Sequence, residues 1–204
     1  MIKNILFDMG GVVLKWAPQY FIQRAGVTDR EDRQLLFREV YGSMEWVQLD
    51  RGIITDDDMI KAALSRIPER LHEKTISLIT HWDEDREEID GMYELVEALE
   101  KKGYVNYLFT NASLRHREYF PRYRVSRFFE GRIMRSSDWH LNKPEHEFYE
   151  KGLEIFSLKA EECLFIDDNP ANCEAAVYLG IPSIVFYGDC ERLKRDMRTF
   201  GIDI

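Results

Sequence analysis

A chain of 204 residues, 45% apolar and 32% charged, is long enough to bury a sizeable core and fits one domain with a large insertion or two small domains. Its formal net charge of −9, without any basic stripe interleaved with aromatics, argues against nucleic acid as a partner and requires local donors or a metal ion to meet an anionic substrate. Cys163, Cys173 and Cys190 leave one thiol over in any disulfide scheme, and no apolar run approaches the ~18 residues of a membrane span, so the expectation is a cytoplasmic protein with no membrane partner.

The first element is an apolar run of strand length, Ile2 to Phe7, which delivers Asp8 into the turn Met9-Gly10-Gly11. Alone, a strand-end aspartate is as well explained by turn capping as by chemistry. From Trp16 onward the pattern is helical, with no strand before Tyr104. Pro18 suits a first helical turn, Asp29 caps Arg30 to Val40, Tyr41-Gly42-Ser43 breaks that helix, and Thr55 with Asp58 caps Asp56 to Arg66. Pro68 ends that helix and starts another. Four or so amphipathic helices form a small bundle, and the charge-rich run Asp83 to Glu88 reads as a solvated hinge.

Met92 to Lys102 is an amphipathic helix closed by Gly103. Strands then alternate with helices: Tyr104 to Thr110, a helix from Ser113 to Arg124, Gly131 to Met134, a helix from Pro144 to Phe156, Glu162 to Asp168, a helix from Asn169 to Leu179, Pro182 to Phe186, and a last helix from Asp189. This pattern predicts an α/β fold with a Rossmann-like parallel sheet. A helical-bundle cap (residues 16–83) is inserted into a core made of residues 1–15 and 84–204.

Three strands end in polar residues: Asp8, Thr110-Asn111 and Asp167-Asp168. In parallel sheets ligands bind at the carboxyl ends of strands, so these ends, with Lys143 on a loop before a helix, converge on one site. Three uncompensated carboxylates would repel one another unless a hard dication lies between them, and magnesium answers that need. Lys143 and the Thr110 hydroxyl supply the charge and donors that a transferring phosphoryl group requires, which leaves Asp8 as nucleophile.

Phe7-Asp8-Met9-Gly10-Gly11-Val12, Leu108-Phe109-Thr110-Asn111, Asn142-Lys143-Pro144 and Phe165-Ile166-Asp167-Asp168-Asn169 resemble, in order and spacing, motifs I to IV of the haloacid dehalogenase-like hydrolase superfamily. The resemblance covers nearly the whole chain, including a C1-type helical cap, and is strongest to the subgroup that includes bacterial α-D-glucose-1-phosphate phosphatase. It implies a phosphatase in which Asp8 is the nucleophile and magnesium is held by Asp8, the Gly10 carbonyl and Asp168, with Asp167 in support. It further implies that Thr110, Asn111 and Lys143 hold the phosphate of a small, sugar-phosphate-like metabolite. In one respect the chain departs from the pattern. The family's usual second aspartate, two residues after the nucleophile, is here Gly10, which removes a general acid worth about 10² to 10⁴ in rate.

Two other functions compete. One is 2-haloacid dehalogenation, which needs no dication and which the Asp167-Asp168 pair disfavours; the other is a catalytically weak binding or regulatory protein, motivated by Gly10. Trp16, Trp46 and Trp139 are the aromatic candidates for pocket walls, and His140 and His146 flank the Lys143 loop.

Overall fold

The computed structural model of the chain describes residues 1–84 and 86–204. Its sheet is built on β1 (Asn4–Phe7), every residue of which is buried. Successive side chains of a strand point to opposite faces. Accordingly Ile5 and Phe7 join one apolar cluster with Leu108, Leu164 and Ile166, while Leu6 joins another with Tyr107, Phe109 and Phe165. A sheet covered on both faces needs apolar residues at every strand position, which accounts for the uninterrupted runs in the sequence.

The other strands are β2 (Val105–Thr110), β3 (Ile133–Arg135), β4 (Cys163–Asp167) and β5 (Ser183–Val185), in the order β3-β2-β1-β4-β5. All pairs are parallel, as expected of an α/β fold. Asn4 pairs with both Val105 and Cys163, and Phe7 with Leu108 and Ile166, so the three central strands end together. That shared edge is where Asp8, Thr110 and Asp167 meet.

Between β1 and β2 lie α1 (Pro18–Arg24), α2 (Arg30–Leu36), a π-helical turn (Phe37–Tyr41), α3 (Met44–Asp50), α4 (Asp56–Leu64) and α5 (His72–Thr80). The expected caps form: the Asp29 side chain accepts the Asp32 amide, and Thr55 and Asp58 make a reciprocal capping box. Ser43, read from the sequence only as part of a break, also caps α3 by accepting the Trp46 amide at 3.2 Å. The chain leaves β1 and returns side by side, with Lys15 N donating to Glu87 O and Ile89 N to Val13 O.

The expected solvated hinge is corrected here. Asp83 and Arg86 are buried, because Arg115 donates to Asp83 and Arg86 donates to the Lys15 carbonyl; Asp85 lies outside the described residues. After β2 the expected helix Ser113 to Arg124 is broken into α7 (His116–Tyr119) and two 3-10 stretches, since Pro121 has no amide with which to continue the α-helical ladder. A short unforeseen α8 (Ser136–Trp139) follows β3, and α6 (Met92–Lys101), α9 (His146–Ile155), α10 (Pro170–Tyr178) and α11 (Cys190–Arg198) pack around the sheet. Among the described residues no helix is long and apolar enough to cross a membrane.

Candidate active site

At the end of β1 the ladder persists for one more bond, Asp8 N to Ile166 O at 2.8 Å, and the chain then turns tightly. The amides of Val12, Val13 and Leu14 converge on the Met9 carbonyl, and Gly11, in the left-handed region at φ +82, donates to Leu14 O. The Gly10 carbonyl takes part in none of these bonds. Only glycine enters such a conformation at little cost, so the second glycine of the pair is a backbone requirement.

Lys143 is almost wholly buried, and its ammonium joins two of the strand-end acids, lying 2.8 Å from Asp8 Oδ1 and 2.6 Å from Asp167 Oδ2. Its backbone is held by Asn111, whose Nδ2 donates to Lys143 O at 2.9 Å while Oδ1 accepts Lys143 N at 2.8 Å. Asn111 therefore positions Lys143 with both polar atoms of its side chain. Asp167 is satisfied in the same way, accepting also from the Asn169 amide and from Asn172 Nδ2. Asp168, one residue further, faces solvent at the strand end.

Asp8, Asp167 and Asp168 each offer an oxygen within 4.8 Å of the others. An all-oxygen, anionic donor set of this size suits a hard dication of the magnesium type. Burial pushes the Asp8 carboxyl up to about 7, against the pull of Lys143 and with the neighbouring Asp167 adding to the rise. Burial likewise raises Asp168, with Asp167 second. For Lys143 burial acts against the charge but is outweighed by Asp167 and then Asp8, so its ammonium is held above the ordinary range. The cluster is a cation bound between acids, with carboxylate charge left over.

Above these residues opens a cavity of about 310 Å³, lined by Asp8, Gly10, Asn111, Lys143, Asp168 and Asn172 on the sheet side. Thr110 is buried at the end of β2 but does not line it, and its hydroxyl makes only a long 3.4 Å contact with Asn111 O. The far walls are Trp16, Tyr41, Trp46, Trp82, Tyr119, Asp50 and Arg86. Trp16 and Trp46 were the sequence candidates. Trp139 is instead 44% exposed, beneath the Lys151 ammonium. His140 binds the Arg51 carbonyl and His146 stacks on Tyr178, both away from the cavity.

Asn172, Asp50, Trp82 and Arg86 are among the cavity-lining residues that sequence reasoning missed. Asn172 carried a faint signal, lying three residues after Asn169 on the same helical turn; the others become neighbours of Asp8 only through the path of the inserted helices.

The family model for haloacid dehalogenase-like hydrolases matches residues 2–180. The chain belongs to that family. Among curated proteins this family member is 24% identical to flavin mononucleotide hydrolase 1 of Arabidopsis thaliana, over 84% of the chain and 67% of the relative. It is 28% identical to a sesquiterpene phosphatase of Aspergillus oryzae, over 88% of the chain and 87% of the relative. Among solved structures, a HAD family enzyme of Bacteroides thetaiotaomicron in complex with magnesium and inorganic phosphate superposes with a TM-score of 0.72 at 24% identity, covering 95% of this chain and 99% of the other. The fold is that of a haloacid dehalogenase-like hydrolase.

Proposed function

We propose that this hydrolase is a magnesium-dependent phosphomonoesterase acting on a small phosphorylated metabolite through an aspartyl-phosphate at Asp8. The observation that carries this reading is the Lys143 ammonium bonded to both Asp8 and Asp167 inside a cluster of three carboxylates at the sheet edge. Phosphoryl transfer needs positive charge on the equatorial oxygens, a dication and a nucleophile, and the cluster offers the Lys143 ammonium, a carboxylate donor set for a dication and the Asp8 carboxylate at one place. The relatives that hydrolyse phosphorylated compounds, and the neighbour that holds magnesium with phosphate, point the same way.

In this reading Asp8, the Gly10 carbonyl and Asp168 would hold magnesium, with Asp167 behind them, and the bound ion would supply charge neutralisation for the phosphoryl oxygens. Asp8 attacks phosphorus, the ester P–O bond breaks with its electron pair going to the leaving oxygen, and water then cleaves the acyl phosphate. Lys143 stabilises the equatorial oxygens, Asn111 keeps Lys143 in place, and Thr110 backs Asn111 from beneath the cavity floor. We assign residues 16–83 to a cap and residues 1–15 and 84–204 to the core; the aromatic walls suit the apolar face of a sugar or another ring. Three free, buried cysteines accord with a cytoplasmic location.

Hydrolysis of p-nitrophenyl phosphate, assayed with magnesium and with excess chelator, tests the proposal. Turnover that survives chelation removes the metal assignment, and chloride release from a 2-chloro acid in its place would make the protein a dehalogenase.

A further inference from the structure

Arg86 is a cation in an unusual place. The residue is 6% exposed on the cavity wall, where the guanidinium carbon lies 5.2 Å from the ring centroid of Trp82, 5.5 Å from Trp16 and 5.9 Å from Tyr119. Nε and Nη2 both donate to the Lys15 carbonyl, at 3.2 and 3.1 Å. Among the described residues Nη1 is buried without a hydrogen-bond partner, and so is the indole Nε1 of Trp82, which lines the same cavity. Leaving a buried donor unmade costs about 1 to 3 kcal/mol, and more for a charged group, so two such donors on one cavity mark a place where an acceptor belongs.

That place lies beside the reacting centre. Arg86 Nη2 is 3.9 Å from the position a Cβ on Gly10 would take, so the guanidinium stands over the residue two positions beyond Asp8, on the side open to the cavity. Asp50, the nearest acid on that wall, is engaged by the Trp46 side chain and the Ser113 amide. Burial pushes its carboxyl up to about 7, with the Arg86 charge acting against that rise.

We infer that Arg86 and Trp82 form a second oxyanion site beside Asp8, so that the substrate is a phosphomonoester whose leaving group carries another anionic oxygen centre, a second phosphate or a carboxylate, close to the ester oxygen. This inference rests on the phosphomonoesterase reading and deepens it. A guanidinium here does for the leaving group what Lys143 does for the transferred phosphoryl, placing fixed charge where negative charge collects as the P–O bond breaks. With its developing charge met by Arg86, the leaving oxygen of such an ester depends less on a general acid, which a chain with Gly10 in that place does not supply.

The test is calorimetric binding of three phosphonates in the presence of magnesium: methylphosphonate, methylenediphosphonate and phosphonoacetate. Wild-type protein should bind at least one of the two doubly anionic compounds about 10-fold or more tightly than methylphosphonate, as a hydrogen bond to a charged group implies. The tighter of the two identifies the source of the second anion. Arg86→Met should abolish that margin while leaving methylphosphonate affinity within about twofold. Chelation of the metal differs between the compounds but is common to both proteins, so the part of each margin that Arg86→Met removes is the measure of the site. Should Arg86→Met not fold, Trp82→Phe removes the second donor and should reduce the same margin. Equal wild-type affinity for all three compounds, or a variant that weakens all three alike, overturns the inference. If the preference holds but no phosphomonoester is turned over, the oxyanion site stands and the phosphatase reading falls; turnover without the preference has the opposite meaning.

Discussion

Gly11 and Asp168 press against each other across the site: a Cβ added to Gly11 would stand 2.6 Å from Asp168 Cγ. Together with its φ of +82, this gives Gly11 two independent reasons to lack a side chain, one in the backbone and one in its neighbour. The contact sets the spacing between the β1 turn and the exposed acid after β4. Gly11→Ala should therefore displace Asp168, weaken magnesium binding and lower kcat/KM by about 10²-fold, the scale on which a misplacement of about 1 Å acts. Magnesium titration followed by turnover checks it, and unchanged affinity in a folded variant would show that Asp168 is not a ligand.

Asp8→Asn preserves shape and removes the nucleophile. The rate should fall to about a thousandth of wild type or less, on the scale of single catalytic groups. A variant that stays above that level in single-turnover kinetics has another nucleophile.

Burial also gives Asp8 a stability signature. In the folded, metal-free protein its carboxyl titrates near about 7 against an ordinary 3.8, so the native state keeps a proton that the unfolded chain has lost. Stability attributable to this group falls as pH rises through that interval, and the whole cost is present above it. His116 works in the opposite sense, because burial, with Arg135 next, holds its pKa well below 6.5. The informative comparison is therefore between wild type and Asp8→Asn, which share His116. Without metal, Asp8→Asn should gain melting temperature relative to wild type on going from mildly acidic to neutral pH. Magnesium, which competes with the proton, should raise the wild-type melting temperature more at neutral than at acidic pH. A difference between the two proteins that does not vary with pH would mean that Asp8 is ionised throughout.

The sheet and the β1 turn were legible because their signals are local: an apolar run, a carboxylate, a glycine at positive φ. The same holds for Asp29 and Thr55, whose caps lie within three residues of the amides they satisfy. What escaped was decided at a distance. Arg86 and Asp83 sit in a run of charges that looks solvated in one dimension, and they are buried only because the Lys15 carbonyl and Arg115 come to meet them. The family resemblance implies a phosphate role for Asn111 but not its bonds to the Lys143 backbone, 32 positions away, which engage both polar atoms of its side chain. Ser43 carried two local messages, a break and a start, and only the break was read.

Gly10→Asp separates steric from electrostatic obstacles to a general acid. A Cβ at Gly10 meets nothing closer than Trp16 Cβ at 3.7 Å, and the backbone there is not left-handed, so the side chain is tolerated. The new carboxyl would, however, lie against Arg86, and an adjacent guanidinium keeps a carboxylate ionised. The single variant should therefore leave the dependence of rate on leaving-group pKa steep across a series of aryl phosphates, whereas Gly10→Asp combined with Arg86→Gln should flatten it. A flattened slope in the single variant would place the Arg86 charge away from the new acid.

Of the four tryptophans in the chain, three stand around the cavity, with Trp16 at 5.6 Å from Trp46 and 5.5 Å from Trp82 between ring centroids, while Trp139 faces solvent outside it. Three of the four indoles thus border the site, and a single exposed indole stands outside it. Occupancy of the site is consequently an optical quantity, readable by emission in the unlabelled protein and on the timescale of mixing.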